Sequence, residues 1–405
     1  MNCTIITIGD ELLIGQIIDT NSAYIAQKLI EVGIRVHRRI AISDNEAEIR
    51  NAISESWKTS EIIITTGGLG PTKDDITKKT IADMFQVGMK RDEKTYQHVR
   101  HIFESRQLPF LPINEAQADI PENATVLFNA RGTAPGMWIE YEGRILVSLP
   151  GVSYEMEYLI ETHVLTALKS KFELPSLYYS HIQTSGLGES FLAKKIASIE
   201  QNIPANISLA YLPSPMHVHL RLSGDVRQKN EIDAIAASIS KELKEYVYDH
   251  SKSTVESLVL DKLMARNETI SLAESCTGGY LAHAITNLEG ASNVFIGGWN
   301  VYTNSFKHNE LDISEELLHQ YGAVSEECAK ELQIQALKKT NSTYSIAVVG
   351  YLSISDIHPK KYAIIAIGSR EKTIIKKLDL IYPRLKSKEA INKVAWVTLY
   401  REFLC

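Results

Sequence analysis

Three turns in this 405-residue chain set glycines beside hydroxyl, carboxylate or amine side chains, each soon after a short apolar run. The first is Thr65-Thr66-Gly67-Gly68-Leu69-Gly70-Pro71-Thr72-Lys73-Asp74-Asp75. Glycine there permits positive φ and lets backbone N–H groups approach a ligand with no Cβ in the way. Thr66 and Thr72 add hydroxyl donors, and a helix start downstream favours an anion. The carboxylates Asp74 and Asp75 would repel a phosphate unless a cation or a proton joins them; as plain structure, an acid here caps a helix or favours its dipole. The second turn runs from Gly9-Asp10-Glu11 to Asp19-Thr20-Asn21-Ser22. Asp10 and Asp19 suit a hard metal ion or the polar edge of a ribose or pterin, while Asp19, Asn21 and Ser22 are equally good helix caps. The third is Glu274-Ser275-Cys276-Thr277-Gly278-Gly279, followed by Tyr302 and Lys307. A serine at a strand-to-helix turn has backbone donors beside it, and a lysine or tyrosine supplies the base its hydroxyl needs near neutral pH.

These turns need strands to hold them. Residues 3–8 form a β-branched run that stops at Gly9. Residues 34–42 and 61–66 read as further strands, with helical spacing at 23–30, 45–57 and 75–85 between and after them. Apolar strands alternating with helices predict a parallel sheet covered on both faces, with ligands beyond the carboxyl ends of its strands. Residues 86–124 are polar and less regular. Order returns in strands at 125–128, 132–139 and 144–149, and Pro150-Gly151 opens a helix to about residue 171. A change of texture follows: strands at 178–184 and 217–222 around helices near 191–199 and 229–243 predict a small α+β module. The remainder reads as α/β, with strands at 269–273, 344–350 and 361–368 and a helical end from 387.

Composition bounds the function. Net charge is −6, which gives no field drawing the chain to nucleic acid or anionic membrane. The four cysteines lack metal-ligand spacing and do not suggest a disulfide framework. No apolar run approaches the roughly 20 residues of a membrane helix, and the N-terminus has no basic leader, so a cytoplasmic protein without a membrane partner is expected.

The blocks Gly9-Asp10-Glu11-Leu12-Leu13-Ile14-Gly15 with Asp19-Thr20-Asn21, then Gly67 to Asp75, Gly132-Thr133-Ala134-Pro135-Gly136, and Leu149-Pro150-Gly151 with Glu155 resemble the molybdopterin-binding-like domain of CinA proteins. Ser153 stands where that family usually has proline. Ser185-Gly186-Leu187-Gly188-Glu189-Ser190 and Leu209 to Pro215 resemble the family's KH-like connecting module, although the Gly-X-X-Gly clamp of RNA-binding KH domains is missing and nucleic acid is not expected. Ala273 to Gly279, Trp299 to Lys307 and Gly322-Ala323-Val324-Ser325 resemble the CinA C-terminal domain, typified by nicotinamide-nucleotide amidase.

The resemblance implies three domains, at 1–172, 173–250 and 251–405. For the first it implies hydrolysis of a nucleotide pyrophosphate of the ADP-ribose type. Asp10 and Asp74 would hold a divalent metal ion there, and Asp19, Asn21, Thr66, Gly67, Gly68, Gly70, Thr72, Asp75, Gly151 and Glu155 would meet the substrate. For the last domain it implies Ser275 as nucleophile, Tyr302 and Lys307 assisting, and Thr277, Gly278 and Gly279 against the substrate. It also implies a homodimer. The later part of the amidase pattern departs from the family: Val349 replaces a threonine, Tyr351 and Leu352 replace a glycine-rich floor, and Lys388 and Asn392 stand for arginines that meet a nucleotide phosphate. Weak or absent amidase activity is therefore expected. The alternative from another class is a non-catalytic oligomeric module that binds a pterin or nucleotide.

Overall fold

The β-branched run at the N-terminus becomes β1 (Asn2–Ile8), followed by β2 (Arg35–Ile42), β3 (Ile62–Thr66), the short pair β4 (Met89–Arg91) and β5 (Asp119–Pro121), then β6 (Thr125–Leu127), β7 (Gly136–Tyr141) and β8 (Arg144–Leu149). The computed structural model describes residues 1–72 and 75–405, and these strands lie in the first of two units, Met1–Leu177 and Tyr178–Cys405. The main sheet has the order β2-β1-β3-β8-β7-β6. Its first four strands are parallel, whereas β7 runs antiparallel to both β8 and β6. β3 is buried along its whole length because both faces of the sheet are covered. Cys3, Ile5, Ile62 and Ile64 pack with Ile25 and Leu29 of the helix Thr20–Glu31 and with Met156 and Leu159 of the helix Ser153–Leu159. Ile6, Ile8 and Ile63 meet Ile49 and Ile53 of the helix Glu46–Ser56 on the other side. The polar stretch after residue 86 holds the β4–β5 pair and the helix Glu93–Ser105.

The second unit carries two sheets. In the first, β9 (Leu177–Ser185), β10 (Ser208–Ser214), β11 (His217–Asp225) and β12 (Val247–Asp249) take the order β10-β11-β9-β12. Ile182, Leu220 and Leu222 pack against Leu192 and Ile196 of the helix Glu189–Glu200 and against Ile232 and Ile239 of the helix Lys229–Glu242. β10 escapes a pattern reading because it contains Pro213, which a strand tolerates at a sheet edge.

The other sheet combines β13 (Ile270–Glu274), β14 (Phe295–Asn300), β15 (Tyr344–Tyr351), β16 (Tyr362–Gly368) and β17 (Thr373–Asp379) in the order β14-β13-β15-β16-β17. β13 is central to a parallel trio with β14 and β15, and β16 and β17 continue the sheet antiparallel. Ile270, Leu272, Ile346 and Val348 face the helices Val255–Arg266 and Arg384–Leu399, while Ala273, Ala347 and Val349 face the helix Glu326–Thr340. The outermost strands β14 and β17 were not expected: Gly297-Gly298 interrupts one and Lys376-Lys377 the other. All four cysteines are free, and among the described residues no helix is long and apolar enough to cross a membrane.

Candidate functional site

In the first unit the carboxyl ends of β1, β3 and β8 lie side by side and are tied together by the glycine turns. The Gly67 N–H donates to the Leu149 carbonyl at 3.0 Å, and its φ is +112°. A Cβ at Gly67 would stand 2.1 Å from the Ile8 carbonyl oxygen, and one at Gly68 2.1 Å from the Thr77 hydroxyl. Glycine is therefore required sterically at both positions. The Thr66 hydroxyl donates to the Pro150 carbonyl at 2.8 Å. Asn21 Nδ2 donates to the Gly151 carbonyl at 2.7 Å and to Thr66 Oγ1 at 3.2 Å, and Asn21 Oδ1 accepts from Ser153 Oγ at 2.7 Å. Ser153, the position where the family has proline, thus anchors the asparagine.

Asp19 caps the helix Thr20–Glu31, accepting from the Ser22 N–H at 2.9 Å, from Ser22 Oγ at 2.5 Å and from Thr7 Oγ1 at 3.2 Å. The Asp75 carboxylate likewise turns back to accept from Thr72 N–H at 2.9 Å and Thr72 Oγ1 at 2.6 Å. Asp19 and Asp75 hold their own turns, and their place against a substrate is restricted by those bonds.

A cleft of about 390 Å³ opens over these turns, lined by Gly67, Gly68, Gly70, Thr72, Asp75, Gly151 and Glu155. Glu11 and Asp44, which the sequence reading did not single out, line it too. Asp44 follows β2, the parallel neighbour of β1, so strand adjacency was the signal that could have found it. Burial pushes the Asp44 carboxyl up, the Asp10 N–H at 3.2 Å pulls it down, and the charges of Asp10, Glu11 and Asp75 push it up further. Asp10 itself is exposed. Glu155 is buried, accepts from Asn129 Nδ2 at 2.6 Å, and is pushed up chiefly by that burial. Asp74 lies outside the described residues. Among the described residues no three His, Cys, Asp or Glu side chains are grouped to hold a metal ion.

The second unit brings Ser275 and Lys307 together. Ser275 directly follows β13, and its N–H donates to the Val348 carbonyl on β15 at 2.9 Å. Lys307, from the helix Asn304–Leu311, reaches Ser275 Oγ with its Nζ at 3.3 Å. Its side chain is 2% exposed, and this desolvation pushes the amine down from the ordinary lysine range. Glu274 takes the amides of the next helix: its carboxylate accepts from the Leu281 N–H at 3.1 Å and the Ala282 N–H at 2.9 Å. Gly278 and Gly279 turn with φ of +62° and +90°. Between them and the serine, the Thr277 hydroxyl is buried with no hydrogen-bond partner among the described residues.

Tyr302 is placed differently from Lys307. Its ring is exposed, and its hydroxyl accepts from Arg384 Nη2 at 2.9 Å. The altered wall is also rearranged. Val349 and Leu352 are buried in the two cores, and Tyr351 stacks on His358 with ring centroids 3.6 Å apart. Asn392 is a core link, donating to Glu256 Oε1 at 2.7 Å and accepting from Trp396 Nε1 at 2.8 Å. Lys388 does reach the glycine turn, its Nζ being 3.5 Å from where a Cβ on Gly278 would stand.

Residues 4–170 match the model of a probable molybdopterin binding domain, residues 180–250 the KH domain of damage-inducible protein CinA, and residues 252–403 the CinA C-terminal domain. A CinA-like protein of Flavobacterium psychrophilum is 39% identical, with 100% of this chain and 99% of that one covered. A CinA-like protein of Cytophaga hutchinsonii is 41% identical over 85% of this chain and 84% of its own length. A putative competence-damage inducible protein of Caldicellulosiruptor saccharolyticus is 36% identical over 98% of this chain and 97% of its own. With three domain models matched in order and such identity along its whole length, the chain belongs to the CinA family.

Proposed function

We propose that the second unit is an amide hydrolase of the nicotinamide-nucleotide type, with Ser275 as nucleophile and Lys307 as its base. The observation that carries this reading is the 3.3 Å contact from Lys307 Nζ to Ser275 Oγ, both side chains being buried. Desolvation disfavours the ammonium form of Lys307 and so favours the neutral amine that can take a serine proton. Ser275 Oγ bonds to the carboxamide carbon as its proton passes to Lys307 Nζ, and the carbonyl π electrons move onto oxygen. Collapse of that adduct breaks the C–N bond, and the nitrogen leaves as ammonia with the proton from Lys307. Water then adds to the acyl-serine ester, again losing its proton to Lys307; the acyl C–Oγ bond breaks, Ser275 Oγ regains a proton from Lys307, and the carboxylate is freed. The unpartnered Thr277 hydroxyl is a polar group that a bound substrate would satisfy. Incubation with nicotinamide mononucleotide tests this: ammonia should appear, and Ser275→Ala should abolish it. Ammonia release unaffected by that change would exclude the dyad.

A second reading belongs to the first unit, where the glycine-turn cleft and its acidic wall favour hydrolysis of a nucleotide pyrophosphate such as ADP-ribose. The glycines of the turn line the cleft, and backbone amides at such positions can meet phosphate oxygens. A divalent cation fits the donor set, because magnesium is commonly held by one or two carboxylates together with substrate phosphates; Glu11 and Asp44 line the cleft, and Asp10 and Asp74 are the carboxylates assigned to it from the sequence. When bound, the cation would draw charge from the phosphoryl oxygens and acidify a water. The chain's own residues orient the diphosphate and hold the carboxylates. A homodimer is part of the proposal, and its mass by light scattering at micromolar concentration tests it.

A further inference from the structure

At the strand edge where Ser275 begins its turn, two neighbouring strand extensions are joined by a bridge that the hydrolase reading does not use. β13 lies between β14 and β15, and all three run parallel, so their carboxyl ends share one edge. Tyr302 follows β14, and its N–H donates to the Asn300 carbonyl at the end of that strand. Ser353 follows β15. The guanidinium of Arg384 donates to both, Nη2 to Tyr302 Oη at 2.9 Å and Nη1 to Ser353 Oγ at 3.2 Å. A group bonded to the extensions of both flanking strands spans the end of the middle strand, which is where Ser275 begins its turn.

The bonds of this bridge are suited to exchange. Both acceptors are neutral hydroxyls, and among the described residues no carboxylate forms an ion pair with Arg384. A guanidinium binds a carboxylate or phosphate in a fork, with stronger bonds than it makes to hydroxyls. Tyr302, Ser353 and Arg384 are all exposed, so the side chains can swing without opening a core. One helical turn on from Arg384, Lys388 approaches the Gly278 turn, so a second cation lies on the route to Ser275.

We propose that Arg384 is a specificity-determining latch: bonded to Tyr302 and Ser353 it closes the approach to Ser275, and an anionic group on the substrate draws it away and is held by it. This rests on Ser275 being the nucleophile. The latch makes the site select amides that carry a phosphate or carboxylate, and it keeps neutral amides and esters from the serine. Release of the arginine also frees the Tyr302 hydroxyl.

The test compares the full-length chain with Arg384→Ala, Arg384→Lys and Ser353→Ala, using a neutral fluorophosphonate as a serine-directed probe and peptide mass spectrometry to locate the adduct. Reactivity scales with the open fraction, so Arg384→Ala should label at Ser275 about tenfold faster than the parent chain, with Ser353→Ala between them. In the same variant KM for nicotinamide mononucleotide should rise by about tenfold or more as the anion loses its partner, with Arg384→Lys restoring part of the loss. Equal labelling rates in the parent chain and Arg384→Ala would overturn the latch and leave the nucleophile assignment standing. No labelling of Ser275 in either would overturn both. A general loss of packing would lower labelling and turnover together, the opposite of the expected split.

Discussion

Lys78 and Lys307 are both buried lysines near a glycine turn, and they show how the two sites differ. Burial pushes both amines down, Lys78 to about 8. Lys78 Nζ donates to the carbonyls of Ala116 and Gln117, each at 3.1 Å, and so fastens the segment before β5 to the helix Thr77–Phe85. Lys307 Nζ donates to a serine hydroxyl. The same contrast runs through the rest of each site. In the first unit Asp19 and Asp75 are bonded within their own turns, and Asn21 and Thr66 to the turn after β8. In the second, Ser275 Oγ is met by the amine of Lys307. Glycine turns beyond parallel strands can therefore be built with their side chains committed to the scaffold, or with a hydroxyl and an amine already in contact.

The sharpest break in this comparison is at the dyad. Ser275→Ala, or Lys307→Arg with its fixed charge, should reduce deamidation by about a thousandfold or more, while ADP-ribose hydrolysis is untouched. Coupled assays for ammonia and for AMP on the same preparation separate the two activities. Chelation should do the reverse. Excess EDTA should remove most ADP-ribose hydrolysis and leave ammonia release unchanged; turnover of ADP-ribose in chelator would place that activity outside cation-assisted chemistry.

The lysines differ in what their titration reports. Neutral Lys307 is the active form, so deamidation should rise with pH to a plateau whose midpoint lies below the ordinary lysine value near 10.4. A rate that falls over this range would contradict a lysine base. For Lys78 the readout is stability. Its folded pKa of about 8 is below the unfolded one, so between them the unfolded chain binds more protons and stability of the first unit rises with pH. Below pH 8 the cost of burying the amine is fully present. Urea unfolding of the first unit between pH 7 and 10 should slope by up to about 1.4 kcal/mol per pH unit, and Lys78→Met should flatten that slope. The smallest effect is expected for Asn21→Ala, which unties the β3 and β8 ends: a loss of about 1–2 kcal/mol in the first unit, read as a lowered urea midpoint, with deamidation unaffected.

Much of the molecule was legible beforehand where local chemistry is strong. β1 and β3 are continuous apolar runs closed by glycine, and the helical stretch read at 45–57 is the helix Glu46–Ser56, with Asn45 capping the Ala47 and Glu48 amides. Legibility failed at edges. β10, β14 and β17 pair on one side only, so their sequences tolerate proline, paired glycines or lysines that erase the alternation. It failed again for Asp44, which is 34 positions from Asp10 in the chain and reaches it only because β1 and β2 are parallel neighbours.

Sequence by itself determined the alternation of strands and helices, the glycine turns, and the residue types at each turn, because φ freedom, periodicity and capping act over a few neighbouring residues. Tertiary structure alone decided which of those residues are free to react. Whether a carboxylate faces a ligand or its own turn, as with Asp75, depends on the bonds available around it. Whether Tyr302 serves Ser275 or Arg384 depends on a helix that begins 82 residues later. Lys307 becomes a base through burial beside a strand end 32 residues away, and no local pattern encodes that desolvation.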